Sequence, residues 1–137
     1  MPENRSGIRI FTLSEANASL EACQRLLASL RETRTRIVAL QARVDIEELT
    51  ASGPSRDQAA IEALLRDIEK DAHAFHQMME EMNSIGCELK DLEKGLIDFY
   101  GMRANEMIFW CWKEGEQKIS HWHTLESGFQ GRQQIED

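Results

Sequence analysis

Asp98, Glu116, His123, Glu126 and Arg132 are the side chains here whose company gives them chemistry to do. Each stands among aromatic and branched residues: Asp98 precedes Phe99, His123 follows Trp122, and Glu116 lies between two apolar runs. A charge buried in such surroundings must be paired or must ligate an ion, because a bare charge is costly to take out of water. Three arrangements satisfy that rule. A His123–Asp98 hydrogen bond can lock a sheet edge, with Arg132 pairing Glu126 or Asp98 to pin the tail. Asp98, His123 and Glu116 or Glu126 can hold a divalent metal, since imidazole plus carboxylates suits zinc, manganese or iron. Without a metal, His123 can act as a general base oriented by Asp98, with Arg132 binding an anionic substrate. A second set, Glu69, His73 and His76, has the i, i+4, i+7 spacing of ligands on one helix face. His76 sits beside Phe75 and Met79, so this set reads as the solvated flank of a packing seam. No nucleophile motif, phosphate-binding glycine loop or nucleotide fingerprint occurs.

Strands must position His123. Met107–Trp112 and Lys118–Thr124 are two β-prone runs around Lys113-Glu114-Gly115-Glu116, which reads as an antiparallel hairpin over 106–124. With Glu114-Gly115 at the centre of the turn, Trp110 faces Ile119 and Ile108 faces His121. One face then carries Ile108, Trp110, Trp112, Ile119, His121 and His123, and the other Met107, Phe109, Cys111 and Trp122. Both faces are apolar, so both need cover. Aromatic side chains bury about 150–250 Å² each, and leaving several exposed is unfavourable. The expectation is a homo-oligomer, a dimer first; the alternative cover is the tail 125–137 folding back as a lid. Within that tail, Gly128-Phe129-Gln130-Gly131 reads as turns around one buried Phe. Upstream, 87–99 alternates apolar and polar residues around a Leu92–Gly95 turn, and reads as two short strands joining the same meander.

Long helices precede the strands. Met1–Arg9 reads as a loose arm, and Thr12-Leu13-Ser14-Glu15 is a capping box. Apolar residues then recur in threes and fours at Leu13, Ala16, Leu20, Cys23, Leu27 and Leu30, and on through Thr33, Ile37, Leu40 and Val44. This gives a helix over 12–51, stopped by Ser52-Gly53-Pro54. Ser55 or Asp57 can cap a second helix over 55–85, whose seam is Ile61, Leu65, Ile68, Ala72, Phe75, Met79 and Met82, ending at Gly86. A short polar connection makes the pair an antiparallel, coiled-coil-like hairpin. The expected fold class is α+β: a long antiparallel helical hairpin packed with a small antiparallel β-meander, in a single domain over 1–137.

Composition narrows the function. The net charge of −8 argues against non-specific binding to nucleic acid or anionic membrane. Five arginines, Arg25, Arg31, Arg34, Arg36 and Arg43, gather on the first helix opposite an acidic second helix, which suits complementary flanks better than a nucleic-acid patch. No apolar run reaches the roughly 20 residues of a membrane span, and no signal-peptide core is visible, so the cytoplasm is the default location. Cys23, Cys87 and Cys111 are odd in number and lack a CxxC pair, so they read as buried free thiols.

Phe11-Thr12-Leu13-Ser14-Glu15-Ala16-Asn17, the stretch Gly86 to Lys90-Asp91-Leu92, Gly95-Leu96-Ile97-Asp98-Phe99, Cys111-Trp112, Gly115-Glu116, Trp122-His123 and Gly128-Phe129-x-Gly131-Arg132 together set a pattern. In this the chain resembles a bacterial family known as domain of unknown function 2203, over nearly its whole length. It departs from the family in having Ser19-Leu20-Glu21 where a proline is expected after Ala16-Asn17. The resemblance implies a small stand-alone protein with no assigned activity. The residues themselves favour a non-catalytic oligomeric scaffold or interaction module. The alternative is a divalent-metal-binding protein, such as a metal-dependent hydrolase, with its site around Asp98 and His123.

Overall fold

The computed structural model describes residues 7–50 and 57–136. Over these the chain is an α+β protein, with two long helices packed on each other and a five-stranded antiparallel sheet. The helices are α1 (Leu13–Thr50) and α2 (Gln58–Ile85). The strands are β1 (Glu88–Asp91), β2 (Leu96–Arg103), β3 (Glu106–Lys113), β4 (His121–Thr124) and β5 (Gln133–Gln134), adjacent in chain order. The chain divides into two compact units, Met1–Leu27 with Glu81–Asp137, and Ala28–Glu80. No helix among the described residues is long and apolar enough to cross a membrane.

The capping box forms as its spacing requires. The Glu15 amide donates to Thr12 Oγ1 at 3.0 Å, and the Thr12 amide donates to Glu15 Oε1 at 2.8 Å. Two of the amides left without a partner at a helix start are thereby satisfied. Thr12→Ala should lower the unfolding free energy by about 1 kcal/mol, read as a lower urea midpoint with an unchanged slope. An unchanged midpoint would show that the cap contributes nothing.

The helical unit Ala28–Glu80 has a narrow core of Val44, Ile61 and Leu64, with Leu40 and Ile68 packed against it. Leu64, not Leu65, takes the seam position; Leu65 is 46% exposed. The complementary flanks meet where Arg36 Nε approaches Asp71 Oδ2 at 3.4 Å. Asp57 Oδ1 accepts the Ala60 amide and caps α2, whereas Ser55 and the Ser52-Gly53-Pro54 stop lie outside the described residues. Glu69, His73 and His76 are all exposed, and His76 pairs with Glu80 at 2.8 Å.

The sheet begins with the expected turn after β1, but β2 continues past residue 99 to Arg103. It reaches β3 through Ala104-Asn105, both in the left-handed region at φ 48° and 66°. That pair of positive φ values matches the right-handed twist of the flanking strands. The β3–β4 register differs from the expectation. Trp110 pairs with Trp122 rather than Ile119, a slip of three residues (122 − 119), and Phe109 pairs with His123. The cause is the connection 114–120, which is loop and not strand as far as Ser120. Ile119 is buried in that loop, and its amide donates to Asn17 Oδ1 at 2.8 Å. An odd slip exchanges the faces, so His123 lies on the side of Phe109 and Cys111, and Trp122 on the side of Trp110.

Ile97, Phe99, Ile108, Trp110 and Trp112 form the face turned to Phe11 and the start of α1, all of them buried. The edge of one Phe11/Phe99 ring meets the other at 5.1 Å between centroids, and Trp110 Nε1–H donates to the Phe11 carbonyl at 2.9 Å. Arg9 is no loose arm. Its guanidinium stacks on Phe11 and donates to the Ile85 carbonyl at 3.0 Å, closing the C-terminal end of α2. The opposite face carries Asp98, Phe109, Cys111 and His123, and the tail returns over it: Leu125 and Phe129 line a cavity against these residues. Phe129 itself is 36% exposed, not the buried centre of a turn.

Candidate metal centre

Asp98, Cys111 and His123 come from adjacent strands β2, β3 and β4 and point to one side of the sheet. Asp98 is directly opposite Cys111 in the ladder, and His123 is opposite Phe109, two residues before Cys111. The outer two strands are separated by two strand spacings, about 9.6 Å. The short Cys111 side chain between them leaves room for the longer Asp98 and His123 to meet, and His123 Nε2 lies 3.0 Å from Asp98 Oδ2. All three residues are buried.

The hydrogen bonds fix the charge state of this arrangement in the absence of an ion. His123 Nδ1 is 2.7 Å from the Thr124 carbonyl, which can only accept, so Nδ1 carries a proton. Nε2 faces the Asp98 carboxylate, so it carries one as well. The ring is then an imidazolium. Burial pulls its pKa down, but the hydrogen bonds to Asp98, Cys111 and the Thr124 carbonyl outweigh that and push it up to about 10. Asp98 Oδ1 is left fully buried with no hydrogen-bond partner, an unusual deficit for a carboxylate.

The donor set also suits a metal ion. One atom each from Asp98, Cys111 and His123 lie within 4.8 Å of one another. Donors bound to zinc at about 2.0–2.3 Å stand roughly 3.3–3.8 Å apart, so small side-chain rotations would close the set. The Nδ1–H bond to a backbone carbonyl is the support that orients a ligating histidine and leaves Nε2 for the ion. A cavity of about 150 Å³ opens beside the three donors, walled by Lys90, Leu96, Phe109, Leu125 and Phe129.

Glu116 does not join Asp98 and His123. Its carboxylate holds Arg132 Nη2 at 2.8 Å, accepts the Lys113 amide at 2.8 Å and faces His121 Nδ1 at 3.3 Å. Burial raises its pKa, and these partners lower it further than burial raises it, leaving the carboxyl below its usual range. Arg132 stacks on Phe129 and approaches Cys111 Sγ at 3.9 Å, so it pins the tail beside the site rather than standing ready for an anion. Glu126 is exposed. Arg132→Ala should free the tail and destabilise the chain by about 1.5–3 kcal/mol, the range for hydrogen bonds to charged groups. Limited proteolysis should then cut between 125 and 136 first; cleavage no faster than in the parent chain would refute the pinning role.

Both ring nitrogens of His123 are engaged, Nδ1 with the Thr124 carbonyl and Nε2 with Asp98. The member of this cluster that sequence reasoning missed is Cys111. It read as one more buried thiol because the three-residue register error put it on the face away from His123.

The model of one family, described as "Uncharacterized conserved protein (DUF2203)", matches residues 9–135. The chain belongs to the DUF2203 family. No curated protein matches, and no solved structure does. The match spans both helices and the strands that carry all three donors of this DUF2203 chain, together with Glu116 and Arg132.

Proposed function

We propose that this protein binds a divalent metal ion through Asp98, Cys111 and His123. One observation carries the reading: three buried donors of different chemistry converge from three strands, and one of them, Asp98, has an oxygen with no other partner. A thiolate, an imidazole and a carboxylate are a borderline-soft set, which favours zinc over manganese or magnesium and also admits iron. Three protein ligands leave a coordination position beside the cavity, as in catalytic rather than closed structural zinc sites. A hydrolytic activity on a small substrate is the reaction class that fits. An ion there would supply Lewis acidity, while the buried Leu96 and Phe109 would keep water from one side of it.

Binding must expel the His123 proton and the Cys111 thiol proton, so affinity should climb steeply with pH. Untagged protein should carry near-stoichiometric metal by mass spectrometry. The cobalt-substituted form should show a thiolate charge-transfer band that Cys111→Ser removes. Only trace metal as purified, together with zinc affinity indifferent to Cys111→Ser, would end the proposal.

A second reading, an oligomeric interaction module, draws on the helical unit. Val38, Ile46, Leu49 and Leu65 are exposed there, Leu49 at 85%. A second copy covering these residues would make a homodimer. Light scattering should give twice the chain mass, falling to one chain with Leu49→Glu; a single-chain mass for the parent protein removes this reading.

A further inference from the structure

Cys23 and Cys87 take no part in the centre just described, yet they are the two other thiols of the chain and they touch. Both are buried, and their Sγ atoms lie 3.5 Å apart although 64 residues separate them in sequence. We propose that Cys23 and Cys87 form a redox site, in which a hydroperoxide converts the two thiols to a disulfide that ties α1 to the head of β1. A disulfide bond is about 2.0 Å long, so closure needs about 1.5 Å of approach, shared between two side-chain rotations.

The two sulfurs are not equivalent. Cys87 Sγ also lies 3.6 Å from the Met82 carbonyl. The Met82 carbonyl can only accept, so the Cys87 S–H points to it and the Cys87 sulfur is left to face Cys23. Either sulfur can attack first, and the other then resolves. One of the two, as its thiolate, attacks one oxygen of the hydroperoxide, giving a sulfenic acid and releasing hydroxide or alkoxide. The second sulfur then attacks the sulfenic sulfur, forming the S–S bond and expelling hydroxide. The protons lost by the two thiols complete water and water or alcohol, so two thiols are oxidised and one peroxide is reduced.

The end of α2 lies beside the pair. Gly86, at φ +103°, follows the last residue of α2 directly before Cys87, and the nearest side-chain atoms to that turn belong to Arg9 and Phe11. Both thiols are buried, so even an oxidant as small as hydrogen peroxide must enter by a local opening of the chain. The disulfide would close a ring that contains the whole unit Ala28–Glu80, because the chain leaves the sheet-bearing unit just after Cys23 and re-enters it just before Cys87. A ring that long constrains the unfolded chain strongly.

The test uses the full chain, reduced and then treated with hydrogen peroxide. The intact mass should fall by two hydrogens, a non-reduced peptide map should join the Cys23 and Cys87 peptides, and Tm should rise by roughly 10 °C and return on reduction. Cys23→Ser and Cys87→Ser should each abolish the cross-link, and the remaining thiol should be trapped as a dimedone-reactive sulfenic acid in at least one of the two. The wild-type map needs no variant to fold. A cross-link to Cys111, or no mass loss under peroxide that fully oxidises the unfolded chain, overturns the proposal. Cys111→Ser, which disables the metal centre, should leave the cross-link intact, so the two proposals fail separately.

Discussion

Gly101→Ala should cost about 3 kcal/mol or more and lower Tm by about 10 °C or more. Gly101 lies on β2 on the same side of the sheet as Trp110, whose indole rests directly on its backbone. A Cβ built at position 101 falls 2.6 Å from Trp110 Cε2 and 2.7 Å from Cδ1, and closer still to Nε1. Carbon atoms do not approach so near, so the ring must move. The indole cannot move without losing its hydrogen bond to the Phe11 carbonyl, leaving a buried donor and a buried acceptor unpaired. The ring also packs in a fully formed core, where displaced volume has nowhere to go. A Tm within about 2 °C of the parent protein's would mean the sheet yields at this point, and the packing account of the Trp110 face would be wrong.

Asp98→Ala should abolish metal binding and, in metal-free protein near neutral pH, cost about 3–5 kcal/mol, as expected when a buried charge loses its partner. The pH dependence separates this from ordinary truncation. The His123 pKa is raised from 6.5 to about 10 in the folded chain. Its contribution to stability is therefore complete below about pH 6.5 and is lost as pH rises through about 10. Metal-free parent protein should lose stability across that window, and Asp98→Ala should not. Urea unfolding at a series of pH values, with a chelator present, gives both curves. Parallel curves for the two proteins would show that Asp98 does not hold the imidazolium.

Much of this was legible because it is local. The capping box, the threes-and-fours spacing of α1 and the turn after β1 are fixed by residues close in sequence, and each formed as its chemistry dictates. The pairing of Asp98 with His123 was also readable, from two charges embedded in apolar strands. What failed depended on partners far along the chain. Ile119 looked like a strand residue because it is apolar and β-branched, but Asn17 takes its amide and keeps it in a loop. Ala104-Asn105 carries no glycine, so nothing announced a turn with two positive φ values. Leu64 and Leu65 are chemically alike, and only the position of α1 decides which is buried. The register error had the largest consequence, since it alone concealed Cys111.

β4 is four residues long and is bordered on one side by β5, a strand of two. Such a strand has few ladder bonds of its own and should be the first part of the sheet to breathe, with its amides exchanging for deuterium well before those of β2 and β3. His123 lies within it, while Asp98 and Cys111 lie on the two longer strands. An ion shared among the three would rivet the weakest edge to the strongest part of the sheet. Exchange at 121–124 would then slow to the rate of the central strands when metal is added.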